Sequence, residues 1–315
     1  MVDDDAGFSP ATSNTGDTYD SAGIKRVGDL ARKATLPPPP PLRHNTNNPP
    51  QVYPGTFVHS IYLDQDSDGD RSATFFGQVD EQIATVCSQL SAIPELSSGF
   101  NAIGFSQGGQ FLRGYVQRCN TPPVKTLITF GSQHNGIADF LPECKPADFI
   151  CRTASSALHS SKWTPWVQNR VVPAQYFRDP EDLDAYLEHS AFLADINNER
   201  PGKRNRTYAD NLAGLERFVM LMFEDDTTVV PKESAWFAEL NRTTGERTLV
   251  EDRELYKQDW IGLKELGDRE RLEFLTTPGR HMELSDELLT DLFKKYLGGK
   301  VSGGKMESWV QGVEL

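Results

Sequence analysis

The chain alternates short apolar runs with longer stretches in which apolar residues recur every three or four positions. The short runs predict strands and the longer stretches predict helices, because side chains repeat every second residue along a strand and about every 3.6 residues around a helix. Strands and helices in alternation favour an α/β fold with a mostly parallel sheet and helices on both faces. In chain order the predicted elements are strand 56–63, helix 76–90, strand 100–104, helix 108–117, strand 126–130, strand 218–223, strand 272–276 and helix 284–296.

Two stretches lack this alternation. The first, 1–55, starts with a polar sequence and continues into a run of prolines at 37–41, which is typical of polyproline segments and loops. The second extends from about 132 to 216 and has many prolines and no strand–helix rhythm, which predicts an insertion above the sheet. We therefore expect an atypical N-terminal arm and Pro-rich loop at 1–55, an α/β domain at 56–315 and, within that domain, a cap at about 132–216.

Charge and hydropathy exclude several classes of partner. The chain has 315 residues with 32 Lys and Arg against 45 Asp and Glu, a net charge of -13, and no basic stretch favours nucleic acid. Its longest apolar run, 218–223, is far shorter than the roughly 20 residues of a membrane-spanning helix. Residues 1–7 lack the basic start and apolar stretch of a secretory signal, so we expect no signal peptide in this chain. The sequence has no CxxC pair to indicate zinc, and we expect no cofactor.

One short motif indicates catalysis. The segment Gly104-Phe105-Ser106-Gln107-Gly108 fits G-x-S-x-G and lies between a predicted strand and a predicted helix. In such an elbow the chain turns sharply from strand to helix and presents the serine hydroxyl, and glycines give the turn room. We therefore expect Ser106 to be a nucleophile. Free N–H groups at the start of the next helix can stabilise an oxyanion, and Gln107 N–H is the first expected donor.

A serine nucleophile requires two further side chains. The hydroxyl needs a base to accept its proton, and the base needs a carboxylate to orient it. Hydrolases with this elbow place the acid, and then the histidine, after later strands of the sheet. His281 is the one histidine of six that follows the last predicted strand. Glu224, Asp225 and Asp226 follow the strand before it, and the pattern leaves open which of them is the acid.

Cysteines and glycosylation sequons bear on the compartment. Four cysteines allow three pairings, and their spacing fits reduced, buried thiols as well as disulfides. Asn205-Arg-Thr207 and Asn241-Arg-Thr243 are N-glycosylation sequons. Such triplets often arise by chance, so they favour a secretory compartment only slightly.

Four segments carry a family resemblance: Phe100-Asn-Ala-Ile-Gly-Phe-Ser-Gln-Gly-Gly-Gln-Phe-Leu-Arg113, Gly131-Ser-Gln-His-Asn-Gly136, His189-Ser-Ala-Phe-Leu-Ala-Asp-Ile-Asn-Asn-Glu-Arg200 and Leu255-Tyr-Lys-Gln-Asp-Trp-Ile-Gly-Leu-Lys264. They resemble the palmitoyl-protein thioesterases, which remove long-chain fatty acyl groups from cysteine thioesters. The similarity extends from about 57 to 296. It implies an α/β-hydrolase fold and a palmitoyl-protein hydrolase whose partners are S-acylated proteins or peptides and long-chain acyl thioesters.

The resemblance also implies roles for single residues. The family's nucleophile, acid and base lie over Ser106, Asp226 and His281. Apolar and aromatic side chains of the cap are enough to roof a channel for an acyl chain. Gln133, Trp163 and Trp166 are the candidate substrate-binding residues.

The family's cysteines coincide with those of this chain. The resemblance therefore implies disulfides joining Cys87 to Cys119 and Cys144 to Cys151. Asn205 lies over a family glycosylation site. The compartment that the resemblance implies is a lysosome or vacuole, or the outside of the cell.

The start of the chain departs from the family. Members begin with a signal peptide, an apolar strand and a His-Gly-x-Gly-Asp loop whose backbone supplies a second oxyanion donor. Here a polar lead precedes Thr15-Gly16-Asp17, and Ser13-Asn14 stand at the His-Gly positions. We therefore expect the first strand to be missing or replaced and the chain to be truncated or mispredicted. Thr15 N–H is the candidate second donor.

Two rival functions share these features. A lipase- or cutinase-like carboxylester hydrolase would use the same triad, and the triad does not distinguish a thioester from an oxygen ester. A catalytically impaired lipid-binding relic is the other alternative, because the N-terminal oxyanion loop is incomplete. The sequence does not predict the protein substrate or the oligomeric state.

Overall fold

A six-stranded parallel sheet forms the framework of the protein. The computed structural model describes residues 22–34, 57–139, 149–241, 243–297 and 308–311. The strands are β1 (Phe57–Ser60), β2 (Phe100–Phe105), β3 (Val124–Phe130), β4 (Arg217–Phe223), β5 (Glu239–Leu240), β6 (Arg247–Thr248), β7 (Leu272–Thr277) and β8 (Ser308–Gln311). The main sheet has the order β1, β8, β2, β3, β4, β7, while β5 and β6 form a separate antiparallel pair.

Helices fill most of the sequence between the strands. They are α1 (Ala22–Ala34), α2 (Ser67–Phe75), α3 (Val79–Ser91), α4 (Gln107–Arg118), α5 (Phe149–Ser161), α6 (Pro165–Gln168), α7 (Val172–Gln175), α8 (Leu183–His189), α9 (Leu193–Ile196), α10 (Arg206–Ala213), α11 (Glu254–Lys257), α12 (Leu263–Asp268) and α13 (Asp286–Leu297). Helix α3 begins three residues later than the predicted helix at 76–90. The reason is Gly77, whose φ of 133° interrupts the chain between α2 and α3.

Alternate residues of the strands enter two apolar cores on opposite faces of the sheet. In β2, Phe100 and Ala102 belong to one core, and Ile103 and Phe105 belong to the other. The first core also holds residues of α3, α4 and the cap stretch, while the second holds residues of α1 and α13. The predicted parallel sheet with helices on both faces is therefore confirmed.

Helix α1 and strand β8 are among the elements that the apolar pattern did not predict. Helix α1 buries Ile24 and Val27 and packs against α13. Strand β8 lies inside the sheet between β1 and β2, and its Val310 pairs with His59 on one side and Ala102 on the other. We expected a first strand to be missing or replaced, and β8, which follows all the other strands in sequence, fills this interior position.

The stretch predicted as a cap is largely helical from 149 to 216, whereas its described residues 132–139 form turns and isolated bridges. Helices α5 to α10 lie between 149 and 216, joined to the rest of the protein by isolated bridges such as Phe76 with Val171 and Ile137 with Phe177. Its buried side chains continue the first core. The division into an arm at 1–55, a hydrolase domain and a cap stays a prediction.

One disulfide joins two helices beside the nucleophile motif. Cys87 of α3 is bonded to Cys119, the residue after α4, with their Cα atoms 6.2 Å apart. This pairing agrees with the one that the family resemblance implied. Cys144, of the second expected pair, lies outside the described residues. None of the helices in the described ranges is long and apolar enough to cross a membrane.

Candidate active site

Ser106 lies at the sharp turn between β2 and α4. Its φ of 48° and ψ of -124° are strained for a residue with a side chain, so neighbouring groups must hold the turn. Ser106 N–H donates to the carbonyl oxygen of Phe130 on β3 at 2.7 Å, and Gly109 N–H donates to Ser106 O at 3.2 Å. These bonds fix the turn from strand to helix on which the sequence places the expected nucleophile.

Two glycines allow α4 to pass close to the strands. A Cβ atom on Gly104 would lie 2.3 Å from Gly109 Cα, and one on Gly109 would lie 2.0 Å from Ser132 Oγ. Both distances are far below van der Waals contact. Side chains at either position would therefore push the start of α4 away from the sheet.

His281 connects the serine to a carboxylate. Its Nε2 lies 2.9 Å from Ser106 Oγ, and its Nδ1 lies 2.7 Å from Asp226 Oδ2. A carboxylate only accepts hydrogen bonds, so Nδ1 carries a proton, and in the neutral ring Nε2 is free to accept from the serine hydroxyl. The side chains of His281 and Asp226 are buried, which limits competition from water.

Asp226 differs sharply from the two carboxylates beside it. Its Oδ1 accepts backbone N–H bonds from Thr228 at 2.9 Å and from Val229 at 3.0 Å, while its Oδ2 accepts from His281. Glu224 and Asp225 are exposed. The geometry thus distinguishes among three residues between which the apolar pattern could not choose.

Two neighbours pack against the imidazole. The rings of Phe223, at the end of β4, and His281 have centroids 5.9 Å apart. Gly131, with φ of 54°, lies so close that an added Cβ would be 3.0 Å from His281 Cε1. Gly131 belongs to a segment that carried the family resemblance, but sequence reasoning gave it no role.

Gln107, the expected oxyanion donor, is held by its side chain. Tyr176 donates its hydroxyl hydrogen to Gln107 Oε1 at 2.7 Å, and Gln107 Nε2 donates to Thr74 O at 3.3 Å. Burial raises the pKa of Tyr176 well above its usual value, so the phenol keeps its proton and remains a donor. Sequence reasoning counted Tyr176 only among the aromatic side chains of the cap that could roof a channel, and it gave no signal of the contact with Gln107.

The candidate substrate-binding residues lie in different environments. Gln133 is only 3% exposed, and its Oε1 has no hydrogen-bond partner. Trp163 is half-buried and packs edge-on against Phe177, with ring centroids 5.8 Å apart. Trp166 is 60% exposed. Thr15, the candidate second oxyanion donor, lies outside the described residues.

Two further features of the sequence, the glycosylation sequons and the metal-ligating residue types, can be located in the described part of the chain. The sequon residues Asn205 and Asn241 are both exposed. Within the described ranges, no group of three His, Cys, Asp or Glu side chains is arranged to hold a metal ion.

Comparison with known proteins identifies relatives of this chain. The family model described as palmitoyl protein thioesterase matches residues 27–281. Palmitoyl-protein thioesterase 1 of Caenorhabditis elegans is 39% identical over 245 residues, covering 77% of this chain and 81% of that protein. Palmitoyl-protein thioesterase 3 of Dictyostelium discoideum is 35% identical over 224 residues, or 71% of this chain and 74% of that protein. Lysosomal thioesterase PPT2 of Rattus norvegicus is 29% identical over 230 residues, 71% of either chain. The match spans Ser106, Asp226 and His281, and the chain belongs to the palmitoyl-protein thioesterase family.

Proposed function

We propose that this protein hydrolyses long-chain acyl thioesters, such as palmitoyl groups on protein cysteines, with Ser106 as nucleophile, His281 as base and Asp226 as acid. The single observation that carries the mechanism is the continuous chain of hydrogen bonds from Ser106 Oγ through His281 to Asp226. The printed names of the relatives support a thioester substrate.

Acylation follows from this geometry. His281 Nε2 accepts the hydroxyl proton while Ser106 Oγ attacks the thioester carbonyl carbon. The tetrahedral intermediate collapses, the carbon–sulfur bond breaks, and the proton moves from His281 to the departing cysteine sulfur. The products of this half-reaction are a free thiol and an acyl ester on Ser106.

Deacylation repeats the sequence with water. His281 Nε2 accepts a proton from a water molecule whose oxygen attacks the ester carbonyl, and then returns the proton to Ser106 Oγ as the fatty acid leaves. Asp226 stays ionised throughout, holds the imidazole tautomer and stabilises the imidazolium. The two backbone N–H bonds that its Oδ1 accepts support that role.

The developing oxyanion needs donors that are already in place. Gln107 N–H, at the start of α4, is the proposed first donor, because the free N–H groups and positive dipole end of a helix favour negative charge there. Thr15 N–H is the proposed second donor. Each such donor is typically worth roughly 3 kcal/mol of transition-state stabilisation.

We assign acyl-chain recognition to the cap. Gln133 and Trp163 are proposed to contact the substrate, with Trp166 at the outer end of the site. An enclosed tail gains about 0.8 kcal/mol per buried methylene, which would favour long chains over short ones. The half-buried Trp163 packs against the rings of Phe177 and Tyr186, which supports an apolar site there.

We further propose that the protein works in a lysosome or vacuole, or outside the cell. The Cys87–Cys119 disulfide supports an oxidising compartment on the route to these places, and several relatives are named lysosomal thioesterases. Glycosylation at Asn205 and Asn241 is proposed on their exposure and sequons. S-acylated proteins or peptides are the proposed partners.

A paired hydrolysis assay tests this function. The protein and its Ser106→Ala variant are given a palmitoylated cysteine peptide and, separately, the matched O-palmitoyl serine peptide. We expect faster release of palmitate from the thioester, and a loss of at least about a thousandfold in Ser106→Ala. The variant Ser88→Ala, which alters an exposed serine on α3, is the matched control and should keep full activity.

The same assay separates the rivals. Faster cleavage of the oxygen ester would identify a carboxylester hydrolase with this triad. No cleavage of either peptide would support the lipid-binding relic and contradict the proposal.

A further inference from the structure

A cleft of about 300 Å³ opens between helix α8, strand β6 and helix α11. Leu183 and Leu187 line it from α8, Thr248 lines it from β6, and Glu254 and Leu255 line it from α11. None of the three triad residues is part of its lining. We call this cavity the leucine cleft.

The buried charges at the inner end of the leucine cleft are paired with each other. Arg178 and Arg253 each contact the carboxylates of Glu199 and Glu239, at distances of 2.6 to 3.2 Å. The Glu239 side chain is 25% exposed, whereas the other three are at most 6% exposed. These four groups therefore present little free charge to a ligand, and the accessible wall of the cleft is mostly apolar.

Exposed leucines mark the mouth of the cleft. In the described ranges the exposed large apolar side chains are Trp166 at 60%, Leu249 at 49% and Leu183 at 37%. Leu183 lines the cleft, and Leu249 follows Thr248, which also lines it. Exposed apolar side chains grouped at a cavity are typical of a surface that a partner covers.

Carboxylates lie beside these leucines. Five exposed acids lie within five residues of Leu183 or Leu249 in sequence: Asp182, Asp184, Glu251, Asp252 and Glu254. The whole segment 179–199, which includes α8, contains no Lys or Arg. The mouth of the leucine cleft is therefore rich in negative charge.

The cations of the neighbouring segments are fewer, and most already have contacts. Arg247 is paired with Glu233 at 2.6 Å, and Arg200 donates to two backbone carbonyl oxygens at the end of α8. Arg204 lies over a tryptophan ring of the cleft, 3.8 Å from its centroid, and Lys257 ends α11. An excess of carboxylates thus remains around the mouth.

We propose that the leucine cleft binds a segment of a partner protein in which leucine-like side chains are flanked by lysine or arginine. An apolar side chain that fills a desolvated pocket supplies most of the affinity in interfaces of this kind. Basic side chains on either side of it are attracted to the carboxylates at the mouth, which fixes the orientation of the segment and speeds association. The exposed leucines would be covered by the same segment.

The position of the cleft fits recognition of the protein part of a substrate. Arg178, at its inner end, comes two residues after Tyr176, whose hydroxyl contacts Gln107 beside Ser106. S-acylated proteins are the proposed partners of the enzyme, so the cleft would hold a segment near the acylated cysteine. This consequence rests on the proposed function, whereas binding of the segment does not.

Fluorescence anisotropy tests the proposal without turnover. The full-length protein is titrated into a labelled, unacylated peptide of two leucines with two lysines on each side. Two comparison peptides replace the leucines with serine, or the lysines with glutamate. We expect the leucine–lysine peptide to bind, more weakly as salt is raised, and each comparison peptide to bind at least about tenfold more weakly.

Variants of the cleft locate the binding site. Leu183→Ala should weaken binding of the leucine–lysine peptide about fivefold, because it removes part of the apolar wall. Asp182→Asn combined with Asp184→Asn should weaken it about threefold by removing two charges at the mouth. Asp182 makes no side-chain capping bond to α8, and all three residues are exposed, so these variants should keep the fold.

Matched variants elsewhere provide the controls. Trp166→Ala removes another exposed apolar side chain, and the peptides carry no acyl chain for it to contact. Glu287→Gln combined with Asp291→Asn removes two exposed charges from α13, which packs on the opposite face of the sheet. Both controls should bind the peptide like the parent.

Several results would overturn the proposal. They are no binding of the leucine–lysine peptide, equal binding of a comparison peptide, and losses in the controls as large as those in the cleft variants. Loss of self-association of the free protein in Leu183→Ala would also overturn it, because the cleft would then join two copies of the chain. The hydrolysis assay with palmitoylated peptides is independent of all these outcomes.

Discussion

At the scale of single residues, one carboxylate in a run of three takes part in the hydrogen-bond chain. Asp226 is buried with both oxygens bonded, whereas Asp225 is exposed. Asp226→Asn should lower kcat for thioester hydrolysis by about 10⁴-fold, because the amide cannot hold the same histidine tautomer. Asp225→Asn should stay within a few-fold of the parent. Steady-state kinetics of both variants measure these effects on kcat. A larger loss of kcat in Asp225→Asn than in Asp226→Asn would move the role of acid to Asp225.

Only part of the candidate site could be predicted from the apolar pattern and the motif. The order Ser106, then an acid, then His281 followed from the elbow motif and from the positions of the strands. The acid was left among three neighbours because apolar periodicity carries no information on which loop side chain turns inward. The family resemblance indicated Asp226, and the bonds to His281 support it.

Tyr176 is the positioning residue that the structure adds. Its hydroxyl fixes the side chain of Gln107, whose backbone N–H is the proposed oxyanion donor. Tyr176→Phe should therefore lower kcat by about tenfold with little change in KM, since a loosened donor loses part of the roughly hundredfold effect of removing one. Steady-state kinetics with a soluble palmitoyl thioester measure kcat and KM separately.

A second buried tyrosine provides the control. Tyr115 donates its hydroxyl to Pro122 O at 2.8 Å, away from the serine. Tyr115→Phe should lower the free energy of unfolding by about 1 kcal/mol, as Tyr176→Phe does, but leave kcat unchanged. Equal losses of kcat in the two variants would reduce Tyr176 to a purely structural role.

At the scale of elements, a buried ionic cluster joins the cap stretch to strand β5 and to Arg253, the residue before α11. Arg178 contacts Glu199 at 2.9 Å and Glu239 at 2.6 Å, while Arg253 contacts the same carboxylates at 3.2 and 2.9 Å. Burial alone would raise the pKa of Glu199, but Arg178 and Arg253 outweigh it and hold that pKa below its usual range. Glu199 is therefore ionised in the folded protein.

Replacing Glu199 tests this cluster. Glu199→Gln removes a negative charge that is paired with two buried arginines. It should therefore lower the free energy of unfolding at pH 7 by roughly 3–5 kcal/mol. Because the folded pKa is lowered, the stabilisation is complete above the unfolded glutamate pKa of about 4.3 and disappears as the pH falls through the folded value. Between pH 7 and pH 3, the free energy of unfolding of the variant should therefore fall less than that of the parent. Urea unfolding between pH 7 and pH 3 measures both effects.

An exposed glutamate provides the control for Glu199→Gln. The Glu188 side chain is 76% exposed, and Glu188→Gln should change stability by less than about 0.5 kcal/mol at every pH. If Glu199→Gln behaved in the same way, the cluster would contribute nothing net to the folded state.

Most elements of the sheet could be predicted, and the exceptions have physical reasons. Strands β2, β3, β4 and β7 were predicted because each is rich in apolar residues. Helix α1 was missed, although Ile24, Val27 and Ala31 have helical spacing, because a polar lead and a proline run surround it. Strand β8 is only four residues long and gains its place by pairing with β1 and β2, which no local pattern reveals.

At the scale of the whole molecule, a covalent link restrains the part of the fold that carries Ser106. The Cys87–Cys119 disulfide spans 32 residues, which include β2, Ser106 and α4. Replacing both cysteines with alanine should lower the free energy of unfolding by roughly 3–4 kcal/mol on loop entropy. Denaturant unfolding measures the loss. Peptide mapping of unreduced protein should show this pair and the proposed Cys144–Cys151 pair, and any other pairing would contradict the assignment.

Covalent capture by a serine-reactive probe tests the role of Ser106 directly. The native protein is treated with a fluorophosphonate probe, digested and mapped by mass spectrometry. We expect one adduct, on Ser106, that is abolished in Ser106→Ala and formed roughly a thousandfold or more slowly in His281→Ala, since the serine hydroxyl depends on its base. An unlabelled protein, or an adduct on a different serine that survives Ser106→Ala, would contradict the assignment of Ser106 as the activated nucleophile.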